Sequence, residues 1–400
     1  MRGTSSIRYG DGPFELRSGF IRLCAWLQRK EVLILDEDAL ACARVLASSE
    51  TKGSFIESIF AIPAWRPFYS VESEDGLRWK ELASSCSRVL RALRWKEGLS
   101  QLVDAGVGQE LAAMGGDPAR AIDAEAISRL TLRVLYQLLF EQEISAADET
   151  LFYQSSIEWR KEIAIKGKGK AAIKAEASRR LMEIISQSKY RDGLSQTEDP
   201  TLWLSVFAQP FLLSPQINVS DVMVATFSFL RREPRFLELA RTHARQGDLS
   251  YLKAVLMEAI RLQHPFPILE REMSHDLQLG DHFIRAGTQV FIVLDQFKQD
   301  SRYQPEAWLD ENQPHPFQSL VFGAGKRMCL GKMLATQLMV EMLRVLLVEV
   351  PDHLIQVDRG HRYSGRNNDG KQSIMESAYQ LKKFLGALWR SFLIGVKATS

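Results

Sequence analysis

The chain has 400 residues, with 51 Lys plus Arg against 49 Asp plus Glu, a formal net charge of +2 and 46% hydrophobic residues. So balanced a charge argues against nucleic acid as an obligate partner, and no uncharged run approaches the roughly 18–20 apolar residues of a membrane span or anchor. Cys24, Cys42, Cys86 and Cys329 are too scattered for a disulfide framework, contain no C-x-x-C pair, and suit a reducing compartment. The opening "MRGTSSIRYGDGPFELRSGF" lacks a signal-peptide core, so a cytoplasmic location is expected. No linker, composition break or repeat divides the sequence, which predicts one domain over 1–400.

Residues 31–36, "EVLILD", predict a strand that leads into the helix "EDALACARVLAS". The stretch "SFIESIFAIPAWRPFY", 54–69, is aromatic, apolar and broken by proline. Next, "GLRWKELASSCSRVLRALRWK" carries Arg88, Arg91, Arg94 and Lys96 on a basic face, which suits solvent or an acidic partner. A buried helix is expected over 121–140, then helices over 147–165 and 171–188 flanking "KGKGK". That connection lacks the Gly-x-x-x-x-Gly-Lys-Ser/Thr of a phosphate loop; its lysines suit solvent, an acidic substrate or a carrier protein. In "YLKAVLMEAIRLQHPFP", Glu258 and Arg261 stand three apart on a helix that ends at prolines. Such a pair is ordinarily exposed and worth a few tenths of a kcal/mol. "HDLQLGDHFIRAGTQVFIVLD" alternates apolar residues around two turns and predicts short hairpin strands. Near the end, "RGHRYSGRNNDGKQS" is polar and Gly-rich, an exposed loop.

One cysteine stands apart. In "FGAGKRMCLGK", 322–332, Gly323, Gly325 and Gly331 allow tight turns and close approach to a ligand. The helical run after Gly331 places Cys329 where a helix begins, with Lys326 and Arg327 nearby. Peptide N–H groups and cations both favour a thiolate. That sulfur would serve as a nucleophile or a metal ligand. No histidine base lies close in sequence, His315 being the nearest upstream, so ligation is the better reading.

Phe322, Gly325, Arg327, Cys329 and Gly331 resemble the haem-binding loop of the cytochrome P450 family, Phe-x-x-Gly-x-Arg-x-Cys-x-Gly. The resemblance implies a mainly α haem-thiolate fold with a small β region, running from about Glu31 to the C-terminus. It implies haem b with the Cys329 thiolate as axial iron ligand, the phenylalanine shielding the sulfur, Gly323 and Gly331 in the cradle, and Arg327 facing a propionate. Glu258 and Arg261 become the family's Glu-x-x-Arg pair, structural and buried under the haem. Arg271 becomes a propionate contact from the next strand, and "YQPEAW" an abbreviated meander without its usual arginine. Trp79 matches a propionate-bonding tryptophan; the arginine expected four residues on is Ala83. Residues 54–69 would loop over the distal pocket, making Phe60, Trp65 and Phe68 substrate contacts, although packing residues look the same in sequence. The helices around "KGKGK" would be lid helices. The basic face, with Lys326 and Lys332, would receive an acidic, ferredoxin-type electron donor.

Two segments depart from the family. Counting back from "LRREP" puts "SPQIN" over the iron, where hydroxylating relatives carry Ala/Gly-Gly-x-Asp/Glu-Thr to deliver protons. Here Ile217 has no proton to give, Asn218 is a hydrogen-bond donor but a poor acid, and Pro215 should kink the helix. Asn218 is the candidate catalytic residue and Ile217 a candidate substrate contact. Residues 1–30 read as a variable N-terminal segment and 360–400 as an atypical C-terminal one, whose last part resembles the family's short terminal strands. The implied activity is oxidation of a small organic molecule, plausibly in secondary metabolism. The alternatives are a peroxide-using or redox-neutral isomerase or dehydratase, or a non-catalytic haem binder.

Overall fold

The computed structural model describes residues 22–35, 39–53, 55, 71–72, 74–114, 121–163, 169–196, 198–266, 268–280, 282–294, 302–310, 312, 314–355 and 370–397. After a helix over 22–27, the chain forms β1 (Val32–Leu35) and α1 (Ala39–Ser48). Helices α2 (Gly76–Ala92), α3 (Trp95–Met114), α4 (Ala124–Phe140), α5 (Ala146–Ile163), α6 (Ala171–Gln187), α7 (Arg191–Ser195) and α8 (Pro200–Phe207) follow. A π-helical segment over Ala208–Leu213 joins α8 to α9 (Ser214–Arg232), then come α10 (Pro234–Gln246) and α11 (Leu249–Leu262). Strands β2 (Ile268–Glu272), β3 (Leu277–Leu279), β4 (His282–Ile284) and β5 (Gln289–Val293) precede α12 (Lys332–Glu349) and α13 (Gly370–Lys397). The fold is mainly α with a small β region, as expected.

The predicted buried helix is α4. Asp123 caps it by accepting the Glu125 and Ala126 N–H groups, each at 3.0 Å, and Glu141 ends it in the left-handed conformation. Its apolar residues between these caps recur at helical spacing, and Ile127, Leu130, Leu135 and Leu139 are buried. α4 packs on α9, and the Ser128 hydroxyl donates to the Gln216 carbonyl at 3.0 Å. α11 and α12 pack on the other side of α9, so the distal helix runs through the core.

The larger sheet has the order β1-β5-β2, with β1 parallel and β2 antiparallel to β5. Every residue of β5, Gln-Val-Phe-Ile-Val, is buried, as a central strand requires. Opposite Val290, the register places Arg271 on β2. β3 and β4 form the predicted hairpin, turning at Gly280 with φ 56°.

The C-terminal segment differs from expectation. Residues 370–397 form one helix, not short terminal strands. The sequence "QLKKFLGALWRSFLIGV" carries good helix formers and lacks the alternation of a half-buried strand, so local propensity sides with the helix. Residues 356–369, most of the predicted exposed loop, lie outside the described residues.

Candidate haem-binding site

The cysteine loop is closed by backbone contacts. The Cys329 N–H donates to the Phe322 carbonyl at 2.8 Å, and the Met328 N–H to the Gly325 carbonyl at 3.1 Å. Gly323 and Gly325 take φ of 71° and 70°, where a side chain is strained. At Gly325 space is also lacking: a Cβ would lie 2.6 Å from Ala47 Cα and 2.7 Å from the Leu46 carbonyl oxygen. At Gly323 it would meet nothing closer than Met328 Cα at 4.0 Å. Gly323→Ala should therefore cost only the left-handed backbone penalty, about 1–2 kcal/mol. Gly325→Ala should lower the denaturation midpoint further, because it also pushes the loop off α1.

Cys329 precedes the Gly331 N-cap of α12, as the sequence suggests. Cys329 is exposed as a residue, while its thiol is desolvated by surrounding protein. Burial pushes its pKa up to about 11, opposed by hydrogen bonds from the Gly331 and Lys332 peptides. Here one expectation is corrected. Lys326 does not serve the sulfur; it pairs with Glu50 at 3.0 Å. Arg327 is held by Asp75 and the Glu50 and Glu74 carbonyls. The cation that acts on the thiol is Lys332, whose ammonium also stands 5.9 Å over the Phe322 ring. A free thiol here is protonated, and a bound metal cation must expel the proton.

Glu258 and Arg261 are buried, and the guanidinium grips the carboxylate with two bonds of 2.7 Å. The exposed reading of the pair is excluded. Glu258 also accepts the Gln304 N–H and the Trp308 indole N–H, both at 2.9 Å, while Arg261 donates to the Arg302 carbonyl at 3.2 Å. Trp308 thus completes the network in a meander that lacks the family's arginine. It stacks on His315 at 4.4 Å, and nothing in the spacing of "YQPEAW" announces either contact. From the end of α11, the His264 ring donates to the Val321 carbonyl at 3.0 Å, tying this helix to the cysteine loop.

Three donors converge beside the loop. The Arg327 guanidinium lies 4.6 Å over the Trp79 ring. The Trp79 Nε1–H and Arg271 Nε–H are both buried without a protein partner. Burial, and then the Arg327 charge, lower the Arg271 pKa to about 10. Asp75 already pairs Arg327, so the buried, unpaired Trp79 and Arg271 donors are the ones that call for an added acceptor. The carboxylates of a haem would fit these donors, and Cys329 would supply the thiolate that holds its iron.

Above the loop, Pro215 interrupts the helical N–H ladder, and the π-helical turn sits directly before it. The expected kink thus takes the form of a widened turn. Gln216, fully buried, returns its side-chain amide to the Leu212 carbonyl and accepts from the Ser156 hydroxyl at 3.4 Å. The distal helix is thereby pinned to α5. Asn218 donates to the Ser214 hydroxyl at 2.7 Å, and its Oδ1 is buried without a partner. Asp221, one turn on, lies 3.7 Å from Arg160 of α5. A cavity of about 60 Å³ separates Phe211, Pro215 and Val219 from Leu330 and Gly331. Ile217 is fully buried and does not line it, so the cavity wall belongs to its neighbours Pro215 and Val219. Phe60, Trp65 and Phe68 lie outside the described residues.

Adjoining this cavity at Leu90, Leu330 and Leu334 runs a groove of about 470 Å³. Arg91, Arg94 and Lys96 line it together with Leu330 and the exposed Met333. Of "KGKGK", only Gly169 and Lys170 are described; their N–H groups donate to Glu162 and Glu158 at 2.6 and 3.0 Å.

This arrangement resembles the donor set of a haem-thiolate site. Residues 236–350 match the family model described as Cytochrome P450. Over 107 residues the chain is 42% identical to the mitochondrial cytochrome P450 11B2 of Mesocricetus auratus, covering 25% of this chain and 20% of that protein. Over 96 residues it is 38% identical to the mitochondrial 1,25-dihydroxyvitamin D(3) 24-hydroxylase of Mus musculus, covering 22% and 19%. The matched part thus spans about a fifth of the length of these relatives. Fold similarity reaches further. A six-coordinated cytochrome P450 from Thermus thermophilus superposes with a TM-score of 0.61 at 18% identity, over 83% of this chain and 90% of that one. P450BioI, solved with a hexadec-9Z-enoic acid-ligated acyl carrier protein, gives 0.62 at 14% identity over 84% and 92%. The sequence match to the cytochrome P450 family is confined to residues 236–350, while the likeness in fold extends over most of the chain. No described helix is long and apolar enough to cross a membrane.

Proposed function

We propose that the chain is a haem b monooxygenase, a single domain over 1–400, that oxidises a small organic substrate with electrons from an acidic, ferredoxin-type donor. The observation that carries this reading is the unpaired Trp79 and Arg271 donors beside Arg327, at one flank of the Cys329 loop. When bound there, haem would supply the iron redox chemistry for inserting oxygen into a C–H bond. The chain's residues do the rest. Cys329 would ligate the iron, Lys332 would favour the thiolate by its charge, and Trp79 and Arg271, with Arg327 beside them, would hold the propionates. Arg91, Arg94 and Lys96 around Met333 offer a basic rim and an apolar centre to the donor. A cytoplasmic location and a tailoring role in secondary metabolism complete the reading. Substrate delivery on a carrier protein is an extension supported by the P450BioI complex.

A second reading, peroxide-driven or redox-neutral chemistry, rests on the distal helix. A positioned acid–base relay contributes roughly 10²–10⁴-fold. At the expected relay positions stand Ile217 and Asn218, and Asn218 gives one of its two amide N–H donors to Ser214 and has no acidic proton. Protons must then come from ordered water or from polar groups of the substrate. With a ferredoxin pair and NAD(P)H, tight coupling should require a substrate bearing hydroxyl, carboxylate or amine groups, and most electrons should otherwise emerge as hydrogen peroxide. Asn218→Ala should slow the coupled reaction only modestly. The measurement is product formed per NAD(P)H consumed. Turnover with hydrogen peroxide but none with reduced donor would replace the first reading by the second.

A further inference from the structure

Helix α13 wears its apolar stripe on the outside. Leu385, Trp389, Phe392, Leu393 and Val396 follow one another at helical spacing and are all exposed, Trp389 at 63% and Leu385 at 58%. At 100° per residue they share one face of the helix. Ala387 and Ser391, roughly opposite, are fully buried. The inward contacts are polar: Gln28 donates to the Ser391 hydroxyl at 2.9 Å, and Lys383 lies 3.7 Å from Glu162 of α5. A surface helix of a globular protein normally does the reverse. The short helix over 22–27 is tied to the inner side of α13 through Gln28, and it too exposes apolar side chains, Trp26 at 73% and Leu23. Contiguous apolar exposure of this kind marks an interaction surface.

The charges around it select the occupant. Between 382 and 397 the sequence carries Lys382, Lys383, Arg390 and Lys397 and no acid, a charge of +4, of which Lys383 is already paired inward with Glu162. The whole chain is +2, so everything outside this short segment sums to −2. Arg22 and Arg29 flank Trp26 on the neighbouring helix. A second copy of the chain, docked about a twofold axis, would bring these cations against themselves. Two exposed tryptophans beside lysine and arginine instead suit the boundary between water and acyl chains, where an indole satisfies both media. The segment cannot cross a bilayer. It has the composition of a helix that lies in the interface plane.

We propose that the outer face of α13, with Trp26 beside it, docks on an anionic lipid surface. The attachment uses no haem contact and stands apart from the oxidative function.

The test is flotation of the full-length protein with vesicles of phosphatidylcholine alone, or of equal parts phosphatidylcholine and phosphatidylglycerol. Wild type should float with the anionic vesicles, less in high salt, and hardly with the neutral ones. Trp389→Glu combined with Phe392→Glu should cut the floated fraction about tenfold. Leu40→Glu, at an exposed leucine on α1, should leave flotation unchanged. Circular dichroism on each variant reports that the fold is kept, as expected for side chains that face outward. No flotation of folded wild type, binding indifferent to phosphatidylglycerol, or variants that float like wild type would each overturn the proposal. So would a concentration-dependent dimer, or capture of an acidic protein without lipid binding, that the same substitutions abolish.

Discussion

Cys329→Ser should give protein whose reduced carbon monoxide complex lacks the long-wavelength band of thiolate-ligated haem, while Cys24→Ser, Cys42→Ser and Cys86→Ser keep it. The other three thiols are buried and committed elsewhere. Burial pushes the Cys86 thiol up to about 12, and it contacts the Val206 carbonyl at 3.8 Å. Cys24 is held by Ser391 at the foot of α13. Only Cys329 is an exposed cysteine with peptide N–H groups bonded to its sulfur. Serine keeps the loop's backbone bonds, so lost ligation is not confused with lost folding. Ligation also has a pH signature. The free thiol titrates near 11 and must surrender its proton, so the cysteine-ligated fraction should rise with pH below that value. An unchanged spectrum in Cys329→Ser would remove the assignment.

What the sequence disclosed and what it hid divide along physical lines. The loop was legible because Gly325 and Cys329 answer to local constraints: a left-handed φ, a backbone turned against α1, and a helix start. The buried helix α4 was legible from its apolar period and its aspartate cap. The directions taken by Lys326 and Arg327 were not, because their partners Glu50 and Asp75 lie more than 250 residues away in sequence. Trp308 escaped for the same reason: its bond to Glu258 spans 50 residues. In the C-terminal segment the family's pattern pointed to strands while the residues' own helical period pointed to α13. There the local signal was the better guide. It also exposes a stripe that no core covers.

Removing Glu258 should do more damage than removing Arg261, although the two form one ion pair. Breaking a buried pair costs about 3–5 kcal/mol, because the surviving charge loses its partner inside the protein. Against a typical total stability of about 5–15 kcal/mol, that is enough to leave much of the protein misfolded or without haem. The two survivors are not equivalent. Glu258→Ala strands a guanidinium that cannot lose its charge, and it orphans the Gln304 and Trp308 N–H groups as well. Arg261→Ala leaves a carboxylate that keeps those two donors and can take up a proton. Its deficit should therefore shrink as pH falls, whereas that of Glu258→Ala should not. Glu258→Gln, which keeps an oxygen for the indole and the peptide, should fall between wild type and Glu258→Ala. The double variant Glu258→Ala with Arg261→Ala should be less destabilised than the sum of the singles, since it leaves no unpaired charge. Denaturant midpoints and haem-to-protein ratios for the four variants measure this directly. Near-neutral midpoints and full haem occupancy in both alanine singles would mean that the network does not hold the meander under the cysteine loop.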